Sequence, residues 1–128
     1  MSILIVEDEI ELASLYREFV NDLGYDVDSF TDPFLALEHF KYSSKEYSLV
    51  LTDLRMASMS GIELALKMRE INDTMKIFLM TAFDVTDIEN QIQYKLARID
   101  GIIQKPVKLS ALKNILNHSL LGPLPKYK

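Results

Sequence analysis

The chain has 128 residues and no cysteine. Disulfides are therefore excluded as a source of stability, and thiolates as metal ligands, which is compatible with a reducing cytoplasm. Long hydrophobic runs are also missing. The amino-terminal stretch MSILIVEDE reaches acids within a few residues, and it lacks the basic region and apolar core of a secretory signal. No membrane is expected as a partner, and a cytoplasmic location is. Positive charge is in deficit: 14 Lys and Arg stand against 19 Asp and Glu, for a net charge of −5. A surface of that sign is not built to attract nucleic acid or acidic lipid, so direct nucleic-acid binding is not expected. Internal repeats and low-complexity segments are absent as well. What remains is an ordinary globular composition, 48% hydrophobic and 26% charged, in a length that suits one domain with a real core.

Two periodicities alternate along the chain. Apolar runs of β type occur at SILIV (2–6), YDVDSF (25–30), SLVLT (48–52), KIFLM (76–80) and GIIQ (101–104). Between them lie helical patterns. In 9–23, Leu12, Tyr16, Phe19 and Leu23 recur at steps of three and four, and Gly24 suits a left-handed cap. Thr31 or Asp32 caps a helix that has Pro33 in its first turn. Residues 61–71 carry Ile62, Ala65, Met68 and Ile71 on one face. A thinner stripe of Val85, Ile88, Ile92 and Leu96 predicts a helix over 85–97, and Leu109, Leu112, Ile115 or Leu116, and Leu120 predict another over 108–121. Strands alternating with helices imply right-handed crossovers and a parallel sheet covered on both faces. The richest apolar runs, 2–6, 48–52 and 76–80, belong in its centre, whereas the alternating YDVDSF reads as an edge. The tail GPLPKYK stops the last helix and reads as a frayed end or the start of a linker.

In an open sheet of this kind, ligands bind beyond the carboxyl ends of the strands. Glu7 and Asp8 follow the first strand. Asp53 ends the third, in LVLTDLRM; Thr81 follows the fourth and Lys105 the fifth. Each has a structural explanation when taken singly. Asp8 with Glu11 matches a capping box, Asp53 could satisfy turn amides, and Asp84 could cap the next helix. Thr81 suits a strand, and Lys105 suits a solvated loop. Together they form a set that turns do not account for. Three carboxylates at one sheet edge need a cation or a raised pKa. Their oxygen-only character favours a hard ion such as Mg²⁺. A carboxylate can attack phosphorus to form an aspartyl phosphate. The charge of the transferred group then needs stabilising, by Mg²⁺, Lys105 and a hydrogen bond from Thr81. His39 and His118 stand in no ligand spacing and read as surface or core-edge residues.

In these features the chain resembles the receiver domain of two-component response regulators, from residue 2 to about 121. The matching pieces are ILIVEDE, LVLTDLRMASMSG, IFLMTAF and IIQKPV. The resemblance implies an α/β, doubly wound, flavodoxin-like (βα)5 fold with a five-stranded parallel sheet in the order 2-1-3-4-5. It implies a receiver domain over 1–121 and a tail or linker start over 122–128. Asp53 would be the phosphoacceptor, assisted by Thr81 and Lys105. Asp8 and Asp53 would ligate Mg²⁺ directly, Glu7 would act mainly through water, and the backbone carbonyl of Arg55 would complete the protein's share of the shell. The Lys105–Pro106 peptide would be cis. A sensor histidine kinase, a phosphotransfer protein or a small phosphodonor would supply the phosphoryl group. A downstream effector protein or domain would read it through the face formed by the fourth helix, the fifth strand and the fifth helix. The chain would act as a switch rather than a turnover enzyme, as a monomer or weak dimer, either standing alone or as part of a longer regulator. Three positions depart from the family's pattern. Ala57 and Ser58 replace the usual Pro-Gly after Met56, which leaves that loop less rigid. Ile102 stands where an aromatic rotameric switch is usual. The segment from Thr81 to Lys105 is slightly long.

Other functions carry distinguishable signatures. An aspartyl-phosphate hydrolase of the haloacid dehalogenase type would place its paired acids last and a second Asp two residues after the nucleophile. Here the acids come first and that position is Arg55. A receiver-like interaction module without phosphorylation would be free to lose the acids, which this chain keeps. A flavodoxin would set a nucleotide phosphate against Glu7 and Asp8, where a donor-rich loop is required.

Overall fold

The computed structural model describes residues 2–82 and 85–120. Its elements are β1 (Ser2–Val6), α1 (Ile10–Asp22), β2 (Asp26–Phe30), α2 (Pro33–Ser43), β3 (Tyr47–Asp53), α3 (Gly61–Ile71), β4 (Lys76–Thr81), α4 (Val85–Glu89), α5 (Ile92–Leu96), β5 (Gly101–Gln104) and α6 (Leu109–Leu120). The strands pair in parallel in one five-stranded sheet of order β2-β1-β3-β4-β5. This is the doubly wound, flavodoxin-like arrangement expected, with the Asp-rich strand at one edge.

Period-two alternation sorts the central strands' side chains onto two faces. Leu4, Val6, Val50 and Ile77 join Ala36, Phe40, Leu64, Ala65 and Met68 of α2 and α3 on one side. Ile3, Ile5, Leu49, Leu51, Phe78, Met80 and Ile103 join Tyr16, Val20, Leu112 and Leu116 of α1 and α6 on the other. Local signals set the helix ends. Gly24 takes φ 104°, where other residues are strained, and ends the turn after α1. Asp32 caps α2 by accepting the Phe34 N–H at 2.9 Å, with Pro33 at the first helical position. Ser60 caps α3 by accepting the Glu63 N–H at 3.1 Å.

Several expectations need correction. The segment 85–97 is not one helix: α4 ends at Glu89 and α5 begins at Ile92. Ile88 is buried, but Ile92 and Leu96 are 72% and 64% exposed, and Ala97 takes the buried place instead. The capping box of Asp8 and Glu11 does not form. Glu9 is the N-cap of α1 and makes no side-chain cap bond. The buried line of α1 runs through Ala13, Tyr16 and Val20, with Leu12, Phe19 and Leu23 only flanking it. In α3, Ile71 faces solvent. Asp84, the side chain of Val85 and the tail 121–128 lie outside the described residues. His39 is half-buried, with Nε2 2.7 Å from the Tyr47 hydroxyl, which itself donates to Asp28 at 2.6 Å. His118 is exposed.

Candidate functional site

The parallel sheet brings four strand ends to one edge. Glu7 continues the ladder past β1, its N–H donating to the Phe30 carbonyl at 3.0 Å, and its side chain is fully buried. Asp53 ends β3. The backbone around it is held on three sides: Thr52 Oγ1 donates to its carbonyl at 3.0 Å, Leu54 N–H donates to Met80 O at 2.9 Å, and Leu54 O accepts from Gly61 N–H at 2.8 Å. Thr81 ends β4, is buried, and accepts the Lys105 N–H on its carbonyl at 2.7 Å. Lys105 follows β5, and its peptide bond to Pro106 is cis.

Lys105 links the cluster. Its ammonium lies 2.8 Å from Glu7 Oε1 and 3.2 Å from Asp53 Oδ1. Glu7 Oε2 also accepts the N–H of Glu9, the N-cap residue of α1, at 3.1 Å. Asp8 is exposed, yet Glu7, Asp8 and Asp53 each place a carboxylate oxygen within 4.8 Å of the others. Five sequence candidates thus come to one edge: Glu7, Asp8, Asp53, Thr81 and Lys105. Arg55 lies exposed in the loop two residues beyond Asp53. The residue that sequence reading passes over is Gly61. A Cβ there would lie 2.2 Å from the Asp53 carbonyl oxygen. Its signal is a glycine opening a helix straight after the Ser60 cap.

Burial, then the neighbouring Glu7 carboxylate, pushes the Asp53 carboxyl up to about 7, against the opposing pull of Lys105. Burial alone would lower the Lys105 ammonium. The hydrogen bond to Glu7 and the attraction of Asp53 more than offset it, so its pKa stands above the usual lysine value. One ammonium does not neutralise three carboxylates. The donor set is all oxygen, clustered and partly open to solvent, which fits a hard divalent cation that keeps part of its water.

A stability consequence follows for the metal-free protein. In the unfolded chain Asp53 ionises near 3.8, whereas in the fold it holds its proton until about 7. Rising pH across that window therefore favours unfolding, and the penalty is full above it and absent below it. An asparagine side chain at this position would carry no such penalty. Asp53→Asn is expected to be more stable than the parent by about 2 kcal/mol near pH 8 in EDTA, with the gain fading towards about pH 4. Urea midpoints at the two pH values check this, and a variant less stable than the parent at the higher pH contradicts it.

A parallel 2-1-3-4-5 sheet with paired acids after its first strand, an acid ending its third and a lysine after its fifth defines a receiver-type α/β signalling domain. The family model for the response regulator receiver domain matches residues 3–117, and the chain belongs to that family. Receiver domains of this family serve two-component signal transduction. Regulatory protein VanRB of Enterococcus faecalis is 38% identical over 110 residues, 86% of this chain and 48% of VanRB. Sensor protein EvgS of Escherichia coli is 35% identical over 131 residues, covering all of this chain and 10% of EvgS. The chain thus spans about half of one relative and a tenth of the other. Among solved structures, chemotaxis protein CheY4 of Vibrio cholerae shares the fold, with a TM-score of 0.83 at 21% identity over 92% of this chain and 97% of that one. Response regulator protein TrrA of Thermotoga maritima, solved in complex with Mg(2+)-BeF, has a TM-score of 0.77 at 28% identity, covering 92% of this chain and 97% of that one. Among the described residues, no helix is long and apolar enough to cross a membrane.

Proposed function

We propose that the chain is a phosphorylation-dependent switch whose phosphoacceptor is Asp53. The observation that carries this reading is the Lys105 ammonium held between Glu7 and Asp53, at 2.8 and 3.2 Å, beside a carboxylate cluster suited to a divalent cation. A carboxylate oxygen of Asp53 attacks phosphorus. The bond from phosphorus to the donor's leaving atom breaks, and an acyl phosphate forms. Buried at the end of β3 and fixed through its backbone, Asp53 is aimed before a donor arrives, so little reorganisation is needed. Lys105 pairs with one phosphoryl oxygen and the Thr81 hydroxyl donates to another. Asp8, Asp53 and the Arg55 carbonyl would hold Mg²⁺ directly and Glu7 would act through water; the ion would supply neutralisation of charge on the transferring group. Because that shell needs Asp53 ionised, ion binding weakens as pH falls below about 7.

A sensor histidine kinase or phosphotransfer protein supplies the phosphoryl group, and an effector protein or domain reads it. The reading face comprises α4 and α5, which together stand in for the family's fourth helix, with β5 and α6. Ile102 packs against the cluster of Ile62, Leu79 and Ile88, so the response runs through aliphatic repacking rather than an aromatic rotamer at that position. Residues 1–121 act as the receiver unit, with 122–128 as a tail or linker start. The chain turns over no substrate of its own: Arg55 occupies the position where a phosphohydrolase needs its acid–base carboxylate. Incubation with acetyl phosphate and Mg²⁺ should add one phosphoryl group to the intact protein, and EDTA should prevent it. Multiple turnover of generic phosphate esters would instead favour the hydrolase.

A further inference from the structure

Between α3 and the broken α4–α5 segment lies a cavity of about 770 Å³, within the range that holds small organic ligands. None of the carboxylates, the threonine or the lysine of the Asp53 cluster lines it. Beside Met56, its apolar lining is Leu54, Ile62, Leu66 and Ile88. These side chains pack on one another around Leu79, so the surface is preformed. Leu54 is further pinned by hydrogen bonds to Met80 at 2.9 Å and Gly61 at 2.8 Å. The break in the helix borders the opening, since Gln91 and Gln93 line it together with Ile88. Among the described residues that line the space, two are exposed carboxylates, Glu63 from α3 and Asp87 from α4, and one is a guanidinium, Arg55. The charge of this described lining is net negative while its floor is apolar.

We propose that this cleft binds a small organic cation: an aliphatic or aromatic body seated on Leu54, Ile62, Leu66 and Ile88, with an amine or amidinium group against Glu63 and Asp87. The apolar lining supplies affinity, and the two carboxylates select the sign of the charge. Phosphoryl transfer at Asp53 is not required, so failure of one leaves the other standing.

Amide resonances of the ¹⁵N-labelled full chain, titrated with 2-phenylethylamine and separately with 3-phenylpropionate, test this. The amine should give saturable shifts confined to residues 54–66 and 86–93, with an affinity about five-fold above that of the anion, the scale of exposed ion pairs. The double variant Glu63→Gln, Asp87→Asn should lose that preference while its other resonances stay in place. Added salt should narrow the preference in the unaltered chain, which tests the charge contribution without any substitution. Equal or tighter binding of the anion, shifts centred elsewhere, no saturable shift, or a preference that survives both the variant and salt would each overturn the proposal.

Discussion

Lys105→Met is expected to lower stability by about 3 kcal/mol near pH 8, because it removes one partner of a buried ion pair and leaves the other uncompensated. Glu7 is fully buried, and its Oε1 has the ammonium at 2.8 Å; Asp53 Oδ1 has it at 3.2 Å. After the substitution, two adjacent buried carboxylates face each other with no cation between them. The Glu9 N–H stays on Glu7, but it is a neutral donor and supplies no countercharge. Protonation relieves this, so the loss should shrink between pH 8 and about pH 5, because the Asp53 carboxyl, already raised to about 7 with the lysine present, takes up its proton above the lower pH. The pattern is the reverse of that for Asp53→Asn, which removes a carboxylate from the same crowd and gains stability at high pH. Urea unfolding of the variant and parent in EDTA at the two pH values checks it. A loss below about 1 kcal/mol, or one equal at both pH values, would mean that the ammonium is solvated rather than structural.

Gly61→Ala should cost about 3 kcal/mol, at the upper end of what overpacking usually costs. The added methyl would lie 2.2 Å from the Asp53 carbonyl oxygen and 3.1 Å from Leu54 Cα. Both obstacles are backbone, and neither yields by a rotamer change. Relief requires α3 to withdraw from the end of β3, which stretches the 2.8 Å bond from Gly61 N–H to Leu54 O and releases the loop after Asp53. The site should suffer together with the fold. Divalent-cation affinity, read from the thermal shift on adding Mg²⁺, should fall in the same variant, whereas Ser60→Ala should lower stability through the lost cap alone. Wild-type stability in Gly61→Ala would show that α3 has room the close approach denies it.

The site was legible because a parallel sheet converts a rule about order into a rule about place. Glu7, Asp53, Thr81 and Lys105 each close an apolar run, and closing a run in such a sheet means standing at one edge. Glu7 is an instance of what the local pattern leaves out. In sequence it is one of three consecutive acids, yet it is fully buried while Asp8 and Glu9 are exposed, and its charge partner is a lysine 98 residues away. The slightly long segment from Thr81 to Lys105 signals an unusual fourth helix or exit loop, but the place of the break between α4 and α5 was not legible. Residues 85–97 fit one helical stripe, but the chain beyond it is fastened by tertiary contacts. The Arg69 guanidinium donates to Ala97 O at 2.8 Å, Arg98 O at 2.8 Å and Met75 O at 2.7 Å. Arg98 adopts φ 51° there. With that corner fixed, Ala97 is drawn inward, and Ile92 and Leu96 turn to solvent. Gly61 escaped notice for a related reason: its role is a close approach to Asp53, and nothing local records the distance.

The most direct test of Asp53 as phosphoacceptor is intact-protein mass spectrometry after incubation with acetyl phosphate and Mg²⁺, followed by mapping of the modified peptide. The account predicts a single added phosphoryl group on the peptide that contains Asp53, absent in Asp53→Asn and absent when EDTA replaces Mg²⁺. No adduct with any of several donors, or an adduct that persists in Asp53→Asn, would contradict it.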